Sequence, residues 1–461
     1  MNNSDGLLIA FYGDDFTGSS AVMETLSFAG LPTVLFLEPP TPEELKMFSE
    51  FRAIGVAGIA RSESPEWMEK ELPPVFAALE ALDAPIMHYK TCSTLDSSPV
   101  TGSIGRAYDI AKPIFTKRDG AANWQPLIIG APAIGRYQTF GNLFATFDGQ
   151  QYRLDRHPVM KQHPSTPMNE SDVACHIEKQ TVQKVGLIDF IAIKSGDGSE
   201  RLSNQIKSKR NFVSIDVMDQ ETLEWAGGQI WSKRGSGIFA VGSQGVEYAL
   251  TAHWKKTGLI PEEYPQPVVE PVDQIIVVSA SVSPTNEAQI RWASKNGFEI
   301  VTVNPTKAVS LHTWQKEIEN SVNSAKQILS NGKSPLLATA LGPEDPSVKE
   351  LVETISNSKM PTAEVNARIG TGLGEALSQL LKTSGLRRAV VAGGDTSGYA
   401  TRALRIHALT ALAPIAPGSP LCHAYADSEP GQGLEIALKG GQMGPVEFFG
   451  IVRDGGYTII D

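Results

Sequence analysis

Ala389-Val390-Val391-Ala392-Gly393-Gly394-Asp395-Thr396-Ser397-Gly398-Tyr399-Ala400 is the stretch that decides the architecture. A short apolar run stops at two glycines, an acid and two hydroxyls, and a helix-compatible segment follows. That order places unhindered backbone N–H groups and a helix N-terminus at the carboxyl end of a strand, a site suited to phosphate. Leu7-Leu8-Ile9-Ala10-Phe11-Tyr12-Gly13-Asp14-Asp15-Phe16-Thr17-Gly18 repeats the design at the other end of the chain. Here two carboxylates stand at the turn, which suits hydroxyls or a metal better than bare phosphate. Two such turns, one anion-friendly and one acid-rich, suggest two ligands meeting in a cleft, and phosphoryl transfer is the first hypothesis.

Between these turns the chain alternates strand-like and helix-like segments. Thr33–Leu37, Ala53–Ile59, Ile86–Lys90 and Pro126–Gly130 are near-continuous apolar strands of the kind a parallel sheet buries on both faces. Ser64-Pro65 reads as a helix start, with Ser64 as N-cap. The rhythm breaks from about Arg136 to Pro167, where Arg136–Phe147 alternates and carries Gly-Asn, predicting a β-hairpin. His157 and His163 in the following loop read as ordinary loop histidines rather than metal ligands, since no nearby Cys or Glu completes a set.

The αβ pattern resumes with Val185–Phe190, Phe212–Asp216 and Gly237–Gly242, pauses in a Pro-rich acidic stretch, and restarts at Ile275–Ser279. It then runs through Ile300–Val303, Leu336–Thr339 and Ala389–Val391 to Leu434–Leu438. The expected fold is α/β: two doubly wound domains with mainly parallel sheets and an active-site cleft between them. Residues 1–257 and 272–461 form the domains, and 258–271 the linker.

Composition narrows the function classes. With 461 residues, two cores are expected, and 41% apolar with 20% charged residues is the balance of a soluble globular protein. A net charge of −11 without a long basic run argues against a nucleic-acid surface. Cys92, Cys175 and Cys422 make neither a disulfide framework nor a zinc ribbon. The opening Met1–Asp5 lacks signal-peptide character, and no apolar run is long enough to span a bilayer, so a cytoplasmic protein without membrane partners is expected. A homo-oligomer is compatible with the sequence and not required by it.

The candidate chemistry clusters at strand ends. Asp15 is placed to hold a substrate hydroxyl and accept its proton, with Asp14 orienting it; the bland alternative makes Asp15 a helix cap. Lys90, with Ser93 and Thr94 close behind, is either a carboxylate pocket or a solvated lysine beside a cap, and Arg106 is expected to reach the same anion. Cys92 has no identifiable His or Asn partner and is not expected to act as a nucleophile. Val278–Glu287 is a further hydroxyl-rich strand-to-helix turn that lines a nucleotide pocket or caps the helix. Gly370-Thr371-Gly372-Leu373-Gly374 resembles a G-x-G-x-G element, and Lys439-Gly440-Gly441-Gln442-Met443-Gly444 is Gly-rich with a lysine. There is no P-loop motif and no protein-kinase signature.

Taken together, these segments resemble the four-carbon acid sugar kinases (DUF1537) over nearly the whole chain. The resemblance rests on Asp14-Asp15-Phe16-Thr17-Gly18, Ser281-Val282-Ser283-Pro284-Thr285-Asn286, Gly393-Gly394-Asp395-Thr396-Ser397 and Lys439-Gly440-Gly441-Gln442-Met443-Gly444. It implies an N-terminal domain that holds an acid sugar through Asp15 and Lys90. It also implies a C-terminal domain that binds ATP through Ser281, Gly370, Gly393, Gly394, Asp395, Thr396 and Gly440. On the same reading Lys439 helps hold the phosphates and Asp395 is the candidate Mg²⁺ ligand, directly or through water. Closure about the linker would exclude water from the transfer. The family's usual Asp-Ser-Thr-Leu-Arg-Gly-Asn after the lysine is here Cys92-Ser93-Thr94-Leu95-Asp96-Ser97-Ser98. Asp96 thus stands where an arginine would hold the substrate acid, pointing to a branched or oxidised acid sugar such as 3-oxo-isoapionate rather than threonate or erythronate. The competing expectations are a non-catalytic acid-sugar sensor and an NAD-dependent dehydrogenase. The latter is disfavoured because Gly13-Asp14-Asp15 is not the dinucleotide fingerprint.

Overall fold

The computed structural model describes residues 6–163 and 165–456. The opening segment Met1–Asp5 and Pro164 of the Pro-rich loop therefore lie outside the described residues. Two compact units divide the chain, Met1–Tyr264 and Pro265–Asp461.

The first unit carries strands β1 (Ile9–Gly13), β2 (Thr33–Phe36), β3 (Ala53–Ala57), β4 (Ile86–Lys90), β5 (Gln125–Ile128), β6 (Arg136–Thr139), β7 (Asn142–Phe147), β8 (Gln150–Arg153), β9 (Val185–Ile188), β10 (Phe212–Ile215) and β11 (Ile238–Gly242). Its main sheet runs β2-β3-β1-β4-β11-β5-β10-β9, with each pair parallel. Strands β1 and β4 are buried at every position, as expected for a sheet covered on both faces by helices. The helix Pro65–Glu80 begins as its sequence predicts: the Ser64 side chain accepts the Trp67 N–H and Pro65 occupies the first turn.

The predicted hairpin is present and longer than expected, because β8 joins β6 and β7 in a small antiparallel sheet. Its turn falls on Phe140-Gly141, with φ of 49° and 74°, one residue before the Gly-Asn pair. Both residues occupy the left-handed region that tight hairpins require. His157 accepts the Val159 and Met160 N–H groups and His163 accepts that of Thr166, so both fold the loop back on itself.

The second unit carries β12 (Ile276–Ser279), β13 (Phe298–Thr302), β14 (Ser334–Ala338), β15 (Arg388–Ala392), β16 (Ile406–Ala413), β17 (Leu421–Ala426) and β18 (Glu435–Lys439), in the order β13-β14-β12-β15-β18-β17-β16. The first five strands in that order are parallel, whereas β17 runs antiparallel to both neighbours. β16 and β17 are not anticipated by the sequence reading. Their mixed polar and apolar residues follow the half-covered alternation of an antiparallel edge rather than the apolar run of a buried parallel strand. Ile275, Val277, Leu336, Val390 and Ala437 meet Ile290 and Phe449 in the core beneath one face.

Each unit has a switch point where the connections leaving two neighbouring parallel strands run to opposite sides of the sheet, between β1 and β4 in the first and between β12 and β15 in the second. Open α/β sheets bind ligands outside the carboxyl ends of strands at such switch points. Among the described residues no helix is long and apolar enough to cross a membrane.

Candidate functional sites in the two units

At the first switch point the chain turns sharply after Gly13. The Asp14 N–H donates to Lys90 O (3.0 Å) and the Arg61 N–H to Asp14 O (2.9 Å), so the ends of β1 and β4 and the turn after β3 are tied by their backbones. The side chains converge as closely. One Arg61 Nη atom lies 2.6 Å from Asp14 Oδ1 and 2.6 Å from Asp15 Oδ1. A Cβ added at Gly18 would stand 2.5 Å from Asp15 Oδ1, 2.9 Å from Lys90 Nζ and 3.4 Å from Arg61 Nη2. Only a glycine lets this helix turn approach the three charged groups together.

The structure shows Asp15 as the helix cap the sequence offered, with its carboxylate still open beside Arg61. Its Oδ1 caps the helix Phe16–Phe28 by accepting the Gly18 N–H, and it stays partly exposed beside Arg61. Asp14 is buried, its Oδ2 has no hydrogen-bond partner, and burial raises its pKa against the opposing pull of Arg61. Burial works against the Arg61 charge too, but Asp14, Cys92 and Asp15 outweigh it and hold its pKa well above the usual arginine value.

Lys90 is almost completely buried and donates to Thr91 O at 2.7 Å, which excludes the solvated-lysine reading. Beyond it Cys92 Sγ lies 3.0 Å from Thr94 Oγ1, which donates to Asp96 Oδ1 at 2.9 Å. Burial, then Asp96, pushes the Cys92 thiol up to about 11, so at neutral pH it is protonated and a poor nucleophile, as its sequence context suggested. Ser93 and Thr94 are both buried in this turn.

Arg106 is a correction. Its guanidinium is held by Glu69 at 2.7 Å, facing the neighbouring helix Pro65–Glu80 rather than joining Lys90. The arginines that enter this group are Arg61 and Arg136, and the sequence reading assigned a role to neither. Arg136 opens β6, bonds Ile134 O and Gly135 O through Nη1, leaves Nε buried without a partner, and lies within the electrostatic reach of Cys92 and Asp96. A cation after a strand end is the faint local signal that marks Arg61; Arg136 arrives from the small antiparallel sheet and has none.

At the second switch point three loops meet. The Ala280 N–H donates to Ala392 O, the Gly393 N–H to Lys439 O, and Ser283 Oγ to Gly441 O. Ser283, not Ser281, caps the following helix by accepting the Asn286 N–H, so the hydroxyl-rich turn is part cap and part pocket. A Cβ on Gly441 would stand 2.4 Å from Ser281 Oγ. Gly393 has φ of 129°, whereas Gly394 has nothing within 4 Å of where a Cβ would stand. Gly394 and Asp395 open the helix Gly394–Ala403, where N–H groups lack intrahelical partners, and both are exposed. Lys439 ends β18 with 1% of its surface exposed and Nζ without a hydrogen-bond partner. Burial lowers its pKa from 10.5 to about 8.

Beside these loops lies a cavity of about 220 Å³ lined by Val282, Pro305, Val348, Leu351, Ile369 and Tyr399, with Asp395 and Thr396 at one end. Gly370 also lines it, but not as part of a phosphate loop. Residues 362–384 form one long helix, in which Gly370 makes room for the Tyr399 ring and Gly372 for Trp314. The glycine spacing therefore serves helix packing, a correction to the G-x-G-x-G reading. Among the described residues no three His, Cys, Asp or Glu side chains gather as a metal cage.

The comparisons with known proteins agree with this division of labour. A family model described as a sugar-binding N-terminal domain matches residues 9–250, and one described as a nucleotide-binding C-terminal domain matches residues 276–449. A 3-oxo-isoapionate kinase of Paraburkholderia graminis is 46% identical over 98% of this chain and 95% of its own length. A 3-oxo-tetronate kinase of Methylobacterium radiotolerans is 26% identical over 97% of this chain and 99% of its own. In fold, the chain is similar to Haemophilus influenzae protein HI1011, with a TM-score of 0.74, 20% identity, and coverage of 96% of this chain and 99% of that one. Sequence, fold and the two strand-end sites thus lead to one assignment: the chain belongs to the DUF1537 family, the two-domain acid sugar kinases.

Proposed function

We propose that the chain transfers the γ-phosphoryl group of ATP to a hydroxyl of a branched oxo acid sugar of the 3-oxo-isoapionate type. The observation that carries the reading is Lys439, a buried cation without a hydrogen-bond or carboxylate partner at the loop junction beside the helix that opens at Gly394. Within the second unit its ammonium faces only the Phe448 ring, 5.7 Å from the ring centre, and an incoming triphosphate would repay its desolvation far better. The apolar wall of the adjoining cavity suits a nucleobase, and the N–H groups of Gly394, Asp395 and Thr396 suit phosphate oxygens.

Asp395 is the carboxylate available for Mg²⁺. One exposed acid with no protein cage fits that ion, which keeps waters and shares its remaining positions with phosphate. When bound, Mg²⁺ supplies charge neutralisation across the phosphate oxygens. The first unit supplies the acceptor. Lys90 and Arg61 offer positive charge to the sugar acid, and Asp15 aligns the hydroxyl and accepts its proton above the buried charge of Asp14. A carboxylate paired to an arginine is a weak base, which suffices because phosphoryl transfer depends mostly on positioning and electrostatics.

The substrate preference rests on Asp96 and on the similarity to the P. graminis kinase. A carboxylate at that position repels a substrate acid and accepts hydrogen bonds from hydroxyls or a carbonyl hydrate. A coupled ADP-release screen over tetronates, 3-oxo-tetronates and branched oxo acid sugars tests the proposal. The largest kcat/KM is expected for a branched oxo acid. ADP release with no member of the panel would instead support an acid-sugar sensor, and the proposal would fall.

A further inference from the structure

Asp96 lies between two residues that are fully committed elsewhere. Leu95 before it is buried and has φ of 56°, a left-handed conformation that a branched side chain adopts only when its surroundings impose it. Ser97 after it is buried and bonded on three sides. Its single O–H faces two acceptors, Leu95 O (2.9 Å) and His176 Nε2 (2.9 Å), and its oxygen accepts from Gln180 Nε2 (2.9 Å). Gln180 Oε1 accepts the Gly105 N–H, which fixes the orientation of the amide and leaves its NH₂ to donate to both Ser97 and His176. His176 Nε2 is therefore an acceptor and the imidazole is neutral, in keeping with burial lowering its pKa to about 4.

Apart from the Gly105 N–H in the first turn of the helix Ile104–Phe115, which Gln180 satisfies, the hydrogen bonds of these three buried side chains run among themselves and to Leu95 O. Burying such a network is costly unless every member is satisfied, and its members converge on one turn. That turn carries Asp96, whose Oδ1 is already oriented by Thr94. Asp96, Ser97 and Ser98 stand where the pattern this segment resembles reads Arg-Gly-Asn.

Resting on the function proposed above, we infer that Ser97, His176 and Gln180 are positioning residues that fix the Asp96 carboxylate at the acid-sugar subsite and so set discrimination among acid sugars. They touch no reacting atom. Their effect is on which acid sugar binds, not on the nucleotide.

The test is steady-state kinetics of Ser97→Ala, His176→Ala and His176→Gln against a branched oxo acid sugar and a simple tetronate, with thermal melting to establish folding. Ser97→Ala removes the anchor while keeping Cβ, and His176→Gln keeps an acceptor near the Nε2 position. Ser97→Ala and His176→Ala are expected to raise KM for the branched acid about tenfold, in line with the loss of a buried hydrogen bond. KM for ATP should stay unchanged, the preference over the tetronate should shrink, and His176→Gln should recover most of it. An active wild type whose folded Ser97→Ala and His176→Gln variants keep wild-type KM and preference overturns the inference and leaves the function intact. Equal losses with both sugars and with ATP also overturn it, because they mark a packing role. A wild type that phosphorylates no acid sugar refutes the proposed function, and this inference with it.

Discussion

Replacing Lys439 with methionine should make the protein more stable and less able to bind ATP. The side chain is buried, its ammonium has no hydrogen-bond partner, and burial takes its pKa from 10.5 to about 8. A depression of that size corresponds to roughly 3 kcal/mol of unfavourable free energy in the folded state. The sign follows from proton counting. Between pH 8 and 10.5 the unfolded chain binds the proton more tightly than the folded one, so this contribution to stability improves as pH rises through that window. Below about pH 8 both states are charged and the full penalty applies; above 10.5 both are neutral and it vanishes. Lys439→Met keeps the length of the side chain and removes the penalty, so denaturant unfolding at pH 7 should show a gain of up to about 3 kcal/mol that closes as pH approaches 10.5. ATP affinity should fall about a hundredfold or more, as a buried charge pair with phosphate is lost. In the wild type, calorimetric ATP binding near pH 8.5 should take up protons, because the phosphate restores the ammonium; the variant should not. A Lys439→Met protein that is less stable at pH 7 and binds ATP normally would refute the reasoning.

Gly394→Val should fold normally and lose ATP binding, since its Cβ meets no protein atom, whereas Gly393→Val, at φ of 129°, should lose stability as well; melting curves with and without nucleotide separate the two. Asp15→Asn should lower kcat about 10²-fold or more while ATP affinity stays constant, and a near-normal rate would leave Asp15 as a helix cap alone. Asp96→Arg should narrow the preference for branched oxo acids by improving D-threonate and D-erythronate about tenfold to a hundredfold in kcat/KM, the worth of a charge-assisted hydrogen bond. A wild type that already prefers D-threonate would defeat that argument. A thiol reagent at pH 7.5 should modify exposed Cys175 well before half-buried Cys92, whose pKa of about 11 keeps it protonated; comparable rates would contradict that raised pKa.

What the sequence determined by itself is local. Apolar runs such as Ile86–Lys90 and Ala389–Val391 can only be buried strands; Ser64-Pro65 carries its own helix start; and Gly393-Gly394 announces open backbone at a strand end. Each signal is written within a few residues, where side-chain pattern and φ/ψ preference act, and the acid-acid and Gly-Gly turns were legible for that reason. The tertiary structure decided what depends on distance along the chain. Strand order sets Asp14 beside Lys90, although 76 residues separate them, and nothing near Asp14 reveals it. Arg61 and Arg136 join the charged group at the ends of β1 and β4 through the turn after β3 and the small antiparallel sheet, while Arg106, which looked closer in sequence, faces Glu69 on another helix. The glycines at 370 and 372 read as a phosphate loop until their helix is packed against Tyr399 and Trp314. A glycine spares space for a ligand and for a neighbouring ring by the same absence of a Cβ, and only the neighbour distinguishes the two.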